Sequence, residues 1–127
     1  MDEQLLHYIW KHKLFNKEDL QTKDGQKVQL ISPGEHNYDA GPDFFNGRVK
    51  IDGTEWAGSI EIHVRSSDWF LHGHDNDAAY NNVILHVVGI NDAKITRQNN
   101  TLIPTVELPY NNRLAANYNM LAKSRKW

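Results

Sequence analysis

Residues 44–65, FFNGRVKIDGTEWAGSIEIHVR, decide how this chain folds. Phe44 to Ile51 reads as a strand. Asp52-Gly53 then marks a tight hairpin, because glycine tolerates the positive φ that such a turn requires. Trp56 to Arg65 is the return strand. Its alternation is clean: Ile60, Ile62 and Val64 face one way, and Ser59, Glu61, His63 and Arg65 face the other. Polar groups centred in an otherwise apolar hairpin need partners, since burying them unpaired is costly.

Upstream of the hairpin, Leu5, Leu6, Ile9, Trp10 and Leu14 recur at helical spacing, and Asp2 and Glu3 suit the positive end of a helix dipole. The pattern predicts a helix over residues 3–15, a loop over 19–25, and a short strand at Lys27–Ser32 ended by Pro33-Gly34. The polar run Glu35 to Asp43 contains Gly41-Pro42, which excludes regular structure at that point. Downstream, Ser66-Ser67-Asp68 breaks the return strand. A short helix is expected over Asp75–Asn82, then a strand at Val83–Val88 buried on both faces. An edge strand is expected over Leu102–Leu108, because it carries Pro104. A final helix, Leu114 to Lys126, ends in the basic run Lys123–Lys126, which suits a solvated helix terminus. The order is α-β-β-β-α-β with an edge strand and helix after it. It predicts one α/β (α+β) domain with a small mixed sheet of four to five strands flanked by helices.

Composition narrows the function classes. The 127 residues are 39% hydrophobic and 24% charged, enough for a packed core. Cysteine is absent, which excludes disulfides and thiolate metal sites and fits a reducing cytoplasm. No apolar run could span a bilayer, and the acidic N-terminus does not read as a signal peptide. A net charge of −2 and a pI near 6.4 do not advertise phosphate binding. Metal-binding carboxylates, however, make a site look acidic until the cation is counted.

Acidic and imidazole groups concentrate between Asn37 and His86. Glu61 and His63, two apart on a strand, leave the same face. With Ile51 opposite Thr54, Asp43 falls level with Ile62 and points away from Glu61 and His63. A bulge, an odd loop length or a bend at Pro42 would bring it round. If the acids converge, they form a two-carboxylate site of the kind that holds Mg²⁺ or Mn²⁺. His63 would then be a third ligand or a base for the attacking water, and Arg65 could neutralise charge on a phosphate. His63, His72 and His74 offer an alternative zinc set beside Asp75 and Asp77, with His86 as another nearby imidazole. His86, inside an apolar strand, reads more simply as a satisfied core histidine, and Phe44, Phe45, Trp56 and Trp69 as core or hairpin packing. Ser66 and Ser67 lack nucleophile-elbow glycines, and no phosphate loop or dinucleotide fingerprint is present.

Pro42-Asp43, followed by Glu61-Ile62-His63 on the second hairpin strand, a helix and a buried strand, resembles the PD-(D/E)XK nuclease-like superfamily. The resemblance implies a restriction-endonuclease-like core and metal binding at Asp43 and Glu61, with the carbonyl of Ile62 helping. It also implies an additional acid where Glu3 stands. His63 occupies the usual lysine position. At finer grain, the strings Asn37–Phe44 and Glu61–Trp69 resemble an uncharacterised bacterial domain-of-unknown-function family. So do His72-Gly73-His74 with Asp77 and Tyr80, and Val83–Val88. Members of that family run well beyond this length, so Met1 to Trp127 resembles its N-terminal portion. The expected function is a metal-dependent phosphodiesterase acting on DNA or RNA through activated water. The rivals are an inactive nuclease-like fold that only binds or supports a partner, and a zinc-dependent hydrolase.

Overall fold

The computed structural model describes residues 2–110, and residues 113 and 117 beyond them. Of the helix expected over 114–126, only residue 117 falls within the described residues.

The first helix, α1 (Glu3–Lys11), starts where Asp2 caps it, its side chain accepting the Leu5 amide at 2.7 Å. Leu5, Leu6, Ile9 and Trp10 are all buried. The helix stops at Lys11 rather than running to residue 15. Lys13 takes φ +55°, the Lys13 amide returns to the Trp10 carbonyl, and the Leu14 amide returns to the Ile9 carbonyl. This is a left-handed C-terminal cap without glycine. Phe15 then turns back to stack on Trp10, with ring centroids 5.7 Å apart.

The strands are β1 (Val28–Ser32), β2 (Glu35–His36), β3 (Phe44–Ile51), β4 (Thr54–Arg65), β5 (Val83–Ile90) and β6 (Thr105–Glu107). They form one six-stranded mixed sheet in the order β1-β3-β4-β5-β6, with β2 also paired to β3. The β1, β2, β3 and β4 pairings are antiparallel, and those of β4 with β5 and β5 with β6 are parallel. The four to five strands expected become six because Glu35–His36, inside the run read as irregular, pairs with Phe45 and Phe44. Val83 to Val88 is buried throughout, as the sequence suggests, whereas the edge strand expected over Leu102–Leu108 shortens to β6, which lies at the sheet edge but begins only after Pro104. No helix among the described residues is long and apolar enough to cross a membrane.

Between β4 and β5 the expected helix over Asp75–Asn82 is replaced. A one-turn helix, α2 (Asp68–Leu71), follows directly on the strand break, and 3-10 turns at His74–Asn76 and Ala78–Tyr80 come after it. Gly73 at φ +70° and the extended Asp77 interrupt the chain too often for a longer helix to propagate. The break is clamped by Asp92. Its carboxylate accepts the Ser66 and Ser67 hydroxyls and the Ser67 amide, each at 2.9 Å.

Two cores result. The larger joins α1 to the sheet through Phe44, Ile60, Ile62, Leu85 and Val87. The smaller gathers Trp69, Tyr80, Val83, Ile95 and Ile103 beneath α2 and the turns. Trp56, expected to pack, is half exposed on the hairpin, while Trp69 and Phe44 are fully buried.

The β3–β4 register carries the decisive irregularity. Ile51 pairs with Thr54 and Gly47 with Gly58, but Phe44 pairs with Ile60. Three steps on β3 therefore match two on β4. The extra residue sits at Asn46, in the left-handed region at φ +58°. The shift moves Asp43 from the level of Ile62 to that of Glu61. The turn between β1 and β2 lies against this bulge: a Cβ on Gly34 would come within 2.5 Å of the Phe45 carbonyl oxygen. Because Asn46 needs a positive φ, β propensity has the wrong sign there. We expect Asn46→Val to lower unfolding free energy by about 1–2 kcal/mol in urea titration, and Asn46→Gly to change it by less than about 0.5 kcal/mol.

Candidate metal centre

The bulge and the loop before it deliver Asp43. Asn37 braces that loop. Its amide donates to the Asp43 carbonyl at 2.8 Å, and its side-chain amide donates to the carbonyls of Ala40 and Pro42 at 3.0 and 2.9 Å. Asp43 and Glu61 then interlock. The Asp43 amide donates to Glu61 Oε1 at 3.0 Å, and the Ile62 amide donates to Asp43 Oδ2 at 2.8 Å. It is thus the amide of Ile62 that meets Asp43.

On one side of this pair, α1 contributes Glu3 and His7. His7 Nε2 lies 3.5 Å from Asp43 Oδ2 and 3.8 Å from Glu3 Oε1. One ligand atom from each of Glu3, His7 and Asp43 lies within 4.8 Å of the others. This group opens into a cleft of about 510 Å³, whose walls include Lys11, His12, His36 and Tyr38. On the other side, Glu61 Oε2 lies 2.9 Å from His74 Nε2 and 3.4 Å from His63 Nε2. His63 Nε2 lies 3.2 Å from His72 Nδ1, and His63 Nδ1 lies 2.7 Å from His86 Nε2. Glu61, His63, His74 and His86 are buried, and His72 is exposed.

Burial dominates the electrostatics. It raises the Asp43 carboxyl to about 8, helped by the neighbouring Glu61 charge and the hydrogen bond between the two side chains. It raises Glu61 to about 7, against the opposing hydrogen bond from Asp43. It lowers His63 to about 4, and lowers His74 and His86 as well. The His7 imidazole beside it holds Glu3 below the ordinary carboxylate range. Without a cation, then, the acid pair retains a proton near neutrality while the buried imidazoles are neutral.

The sequence-predicted residues divide accordingly. Asp43, Glu61, Ile62, His63, His72 and His74 converge. Arg65 is exposed, its backbone amide turned to Asp68, and no hydrogen bond or ion pair among the described residues joins its guanidinium to the cluster. His86 is fully buried but only half satisfied, because its Nδ1 lacks a partner among the described residues. Sequence reasoning missed His7, Lys11, His36, Tyr38 and the bracing Asn37. The Glu3–His7 spacing of four on α1 was a usable signal, since it places both on one helix face.

A family profile described as "Protein of unknown function (DUF2851)" matches residues 3–127. The chain belongs to this family. No curated protein and no solved structure matches it. The DUF2851 assignment accords with the resemblance carried by Asn37–Phe44 and Glu61–Trp69, and leaves the chemistry to be read from the site.

The carboxyl pair gives the metal-free protein a defined pH response. A carboxyl whose folded pKa is raised stabilises the fold fully below its ordinary range near 4, and that stabilisation is lost as pH rises through about 7 and 8. The depressed histidines act in the opposite sense, but only below about 6.5, their ordinary value. Between pH 6.5 and 8 the acids therefore act alone. With chelator present, unfolding free energy should fall across this window by roughly 1–2 kcal/mol per pH unit, most steeply at its acid end. Asp43→Asn should flatten the slope in urea titrations at each pH.

Proposed function

We propose that this chain is a divalent-cation-dependent phosphodiesterase acting on nucleic acid, built on a PD-(D/E)XK-like, restriction-endonuclease-like core. One observation carries the reading: two carboxyls from different strands meet beside a cleft, and the bulge in β3 brings them together.

The donor chemistry fits a hard cation at the cleft end. Asp43 and Glu3 present carboxylate oxygens around His7 Nε2, a buried atom without a hydrogen-bond partner among the described residues. Asp43, with Glu61 behind it, is the central ligand in this reading. A bound Mg²⁺ or Mn²⁺ supplies Lewis-acid polarisation of a phosphate and a more acidic water. Lys11 lines the same cleft and is the side chain suited to neutralise a phosphate oxygen, the role that Arg65 was expected to fill. His36 and Tyr38, whose ring centroids lie 4.3 Å apart, offer flat faces to a base or sugar. His63 and His74 stand behind Glu61, on the side away from the cleft, and hold its Oε2 in place.

A second reading, a nuclease-like fold that binds without turnover, is favoured by His63. Burial holds its pKa near 4, so at neutral pH it cannot replace the cationic lysine of the resembling superfamily.

Melting and cleavage assays separate these readings. At a cation concentration 100-fold above Kd, Mg²⁺ or Mn²⁺ should stabilise the wild type by about 2.7 kcal/mol, and Asp43→Asn should lose most of this. Cleavage of single- or double-stranded DNA or RNA should fall at least roughly 10²-fold in Asp43→Asn. Lys11→Ala should keep the melting shift but turn over more slowly. A melting shift without cleavage would select the binding reading. Absence of both would remove the cation site.

A further inference from the structure

The buried side of the acid pair has a different donor chemistry from the cleft side. We propose that Glu61, His63, His72 and His74 form a second, zinc-type site, with Glu61 shared between it and the Asp43 carboxylate. This inference does not depend on the reaction proposed above.

The argument starts from distances. Zinc binds imidazole nitrogen and carboxylate oxygen at about 2.0–2.2 Å, preferably in a tetrahedron, so its donor atoms stand about 3.3–3.5 Å apart. His63 Nε2 lies 3.2 Å from His72 Nδ1 and 3.4 Å from Glu61 Oε2, and Glu61 Oε2 lies 2.9 Å from His74 Nε2. One ring nitrogen of each histidine falls within 4.8 Å of the other two. Three imidazoles and one carboxylate suit zinc better than magnesium, which demands oxygen donors.

The rings are also held from behind. Tyr80 stacks on His74 with centroids 3.7 Å apart, and Trp69 meets the same ring edge-on at 5.1 Å. His63 Nδ1 sits 2.7 Å from His86 Nε2, with His86 fully buried. A cation on His63 Nε2 would fix the proton on Nδ1, making His86 its acceptor. This is the usual arrangement in which a ligating imidazole is oriented through its other nitrogen. His86 thereby acquires a positioning role that a core histidine in an apolar strand otherwise lacks.

The four ligands come from two separate parts of the chain: β4 supplies Glu61 and His63, and the segment just after α2 supplies His72 and His74. Zinc would therefore staple that segment to the sheet. With Glu61 completing the set of three imidazoles, a bound zinc would have the closed shell of a structural metal. Exposed His72 is its solvent-facing ligand and the one least coupled to folding.

The full chain, stripped with chelator, is titrated with Co²⁺ as a spectroscopic stand-in for zinc, and then with Zn²⁺ in competition. The wild type should show the intense visible absorption of tetrahedral Co²⁺ at one equivalent, displaced by Zn²⁺. His72→Ala should weaken Zn²⁺ binding at least roughly 100-fold while its metal-free melting matches the wild type's. His72→Cys should restore binding and add thiolate-to-Co²⁺ charge transfer. Asp43→Asn should retain the tetrahedral spectrum even where the Mg²⁺ or Mn²⁺ response is lost, so the two sites fail separately. A wild type without a tetrahedral Co²⁺ spectrum, or a His72→Ala variant binding zinc as tightly as wild type, would overturn the proposal.

Discussion

The site depends on the interlock of Asp43 with Glu61. Each carboxyl accepts an amide from the other's strand: Glu61 from Asp43, and Asp43 from Ile62. These are hydrogen bonds to acids in a half-buried setting, where an unmet acceptor is expensive. They also set two like-charged groups side by side, a repulsion that only a proton or a cation relieves. The arrangement exists because β3 carries one residue too many at Asn46. Without that residue the strict alternation of a strand would turn Asp43 to the opposite face of the sheet. A local backbone irregularity thus creates a chemical site at a distance of three residues.

Surrounding elements support this irregularity. Gly34 keeps the turn after β1 close enough to lie on the bulge, where any larger residue would strike the Phe45 carbonyl. Asn37 closes the loop 37–43 by hydrogen bonding its carbonyls, so Pro42-Asp43 enters β3 at a fixed angle. Asp92 plays the corresponding part at the far end of β4, holding Ser66 and Ser67 where the strand must end and α2 begin. Where that turn is held determines where His72 and His74 come down on Glu61 and His63.

The elements most visible in the sequence were those fixed by local pattern. The hairpin from Phe44 to Arg65, the buried run Val83–Val88, the edge position of the strand after Pro104 and the capped start of α1 all follow from neighbours within a few residues. The convergence of Asp43 and Glu61 was legible only conditionally. Register arithmetic showed that a bulge, an odd loop length or a bend at Pro42 was needed but not that Asn46 would supply it, although Asn-Gly is the pair best suited to a positive φ. The short β2 went unseen because two residues carry no periodicity. The helix expected over Asp75–Asn82 failed because apolar spacing was weak and Gly73 and Asp77 favoured turns. His7 and Lys11 escaped attention because the sequence marks α1 as a packing helix. Their role depends on the loop 37–43 reaching them, a contact set by tertiary structure.

Donor type changes across the interlock. Toward the cleft lie Asp43, Glu3 and a single imidazole, His7, with Lys11 on the wall. On the other side His63 and His74 meet Glu61 Oε2, with the exposed His72 against His63 and the buried His86 behind it. Burial acts on the two kinds of group in opposite directions: it keeps the acids protonated and the imidazoles bare. Both consequences favour a cation. A bare imidazole is already the ligand form, and a protonated acid pair gives up its proton most readily when positive charge arrives to replace it. In the proposed sites, proton and metal would compete for one electrostatic position. A fold that merely tolerated buried acids would more simply pair each with a lysine or arginine. Here Glu61 faces histidines, and the nearest lysine on α1 stands at the cleft wall, where an incoming anion can reach it.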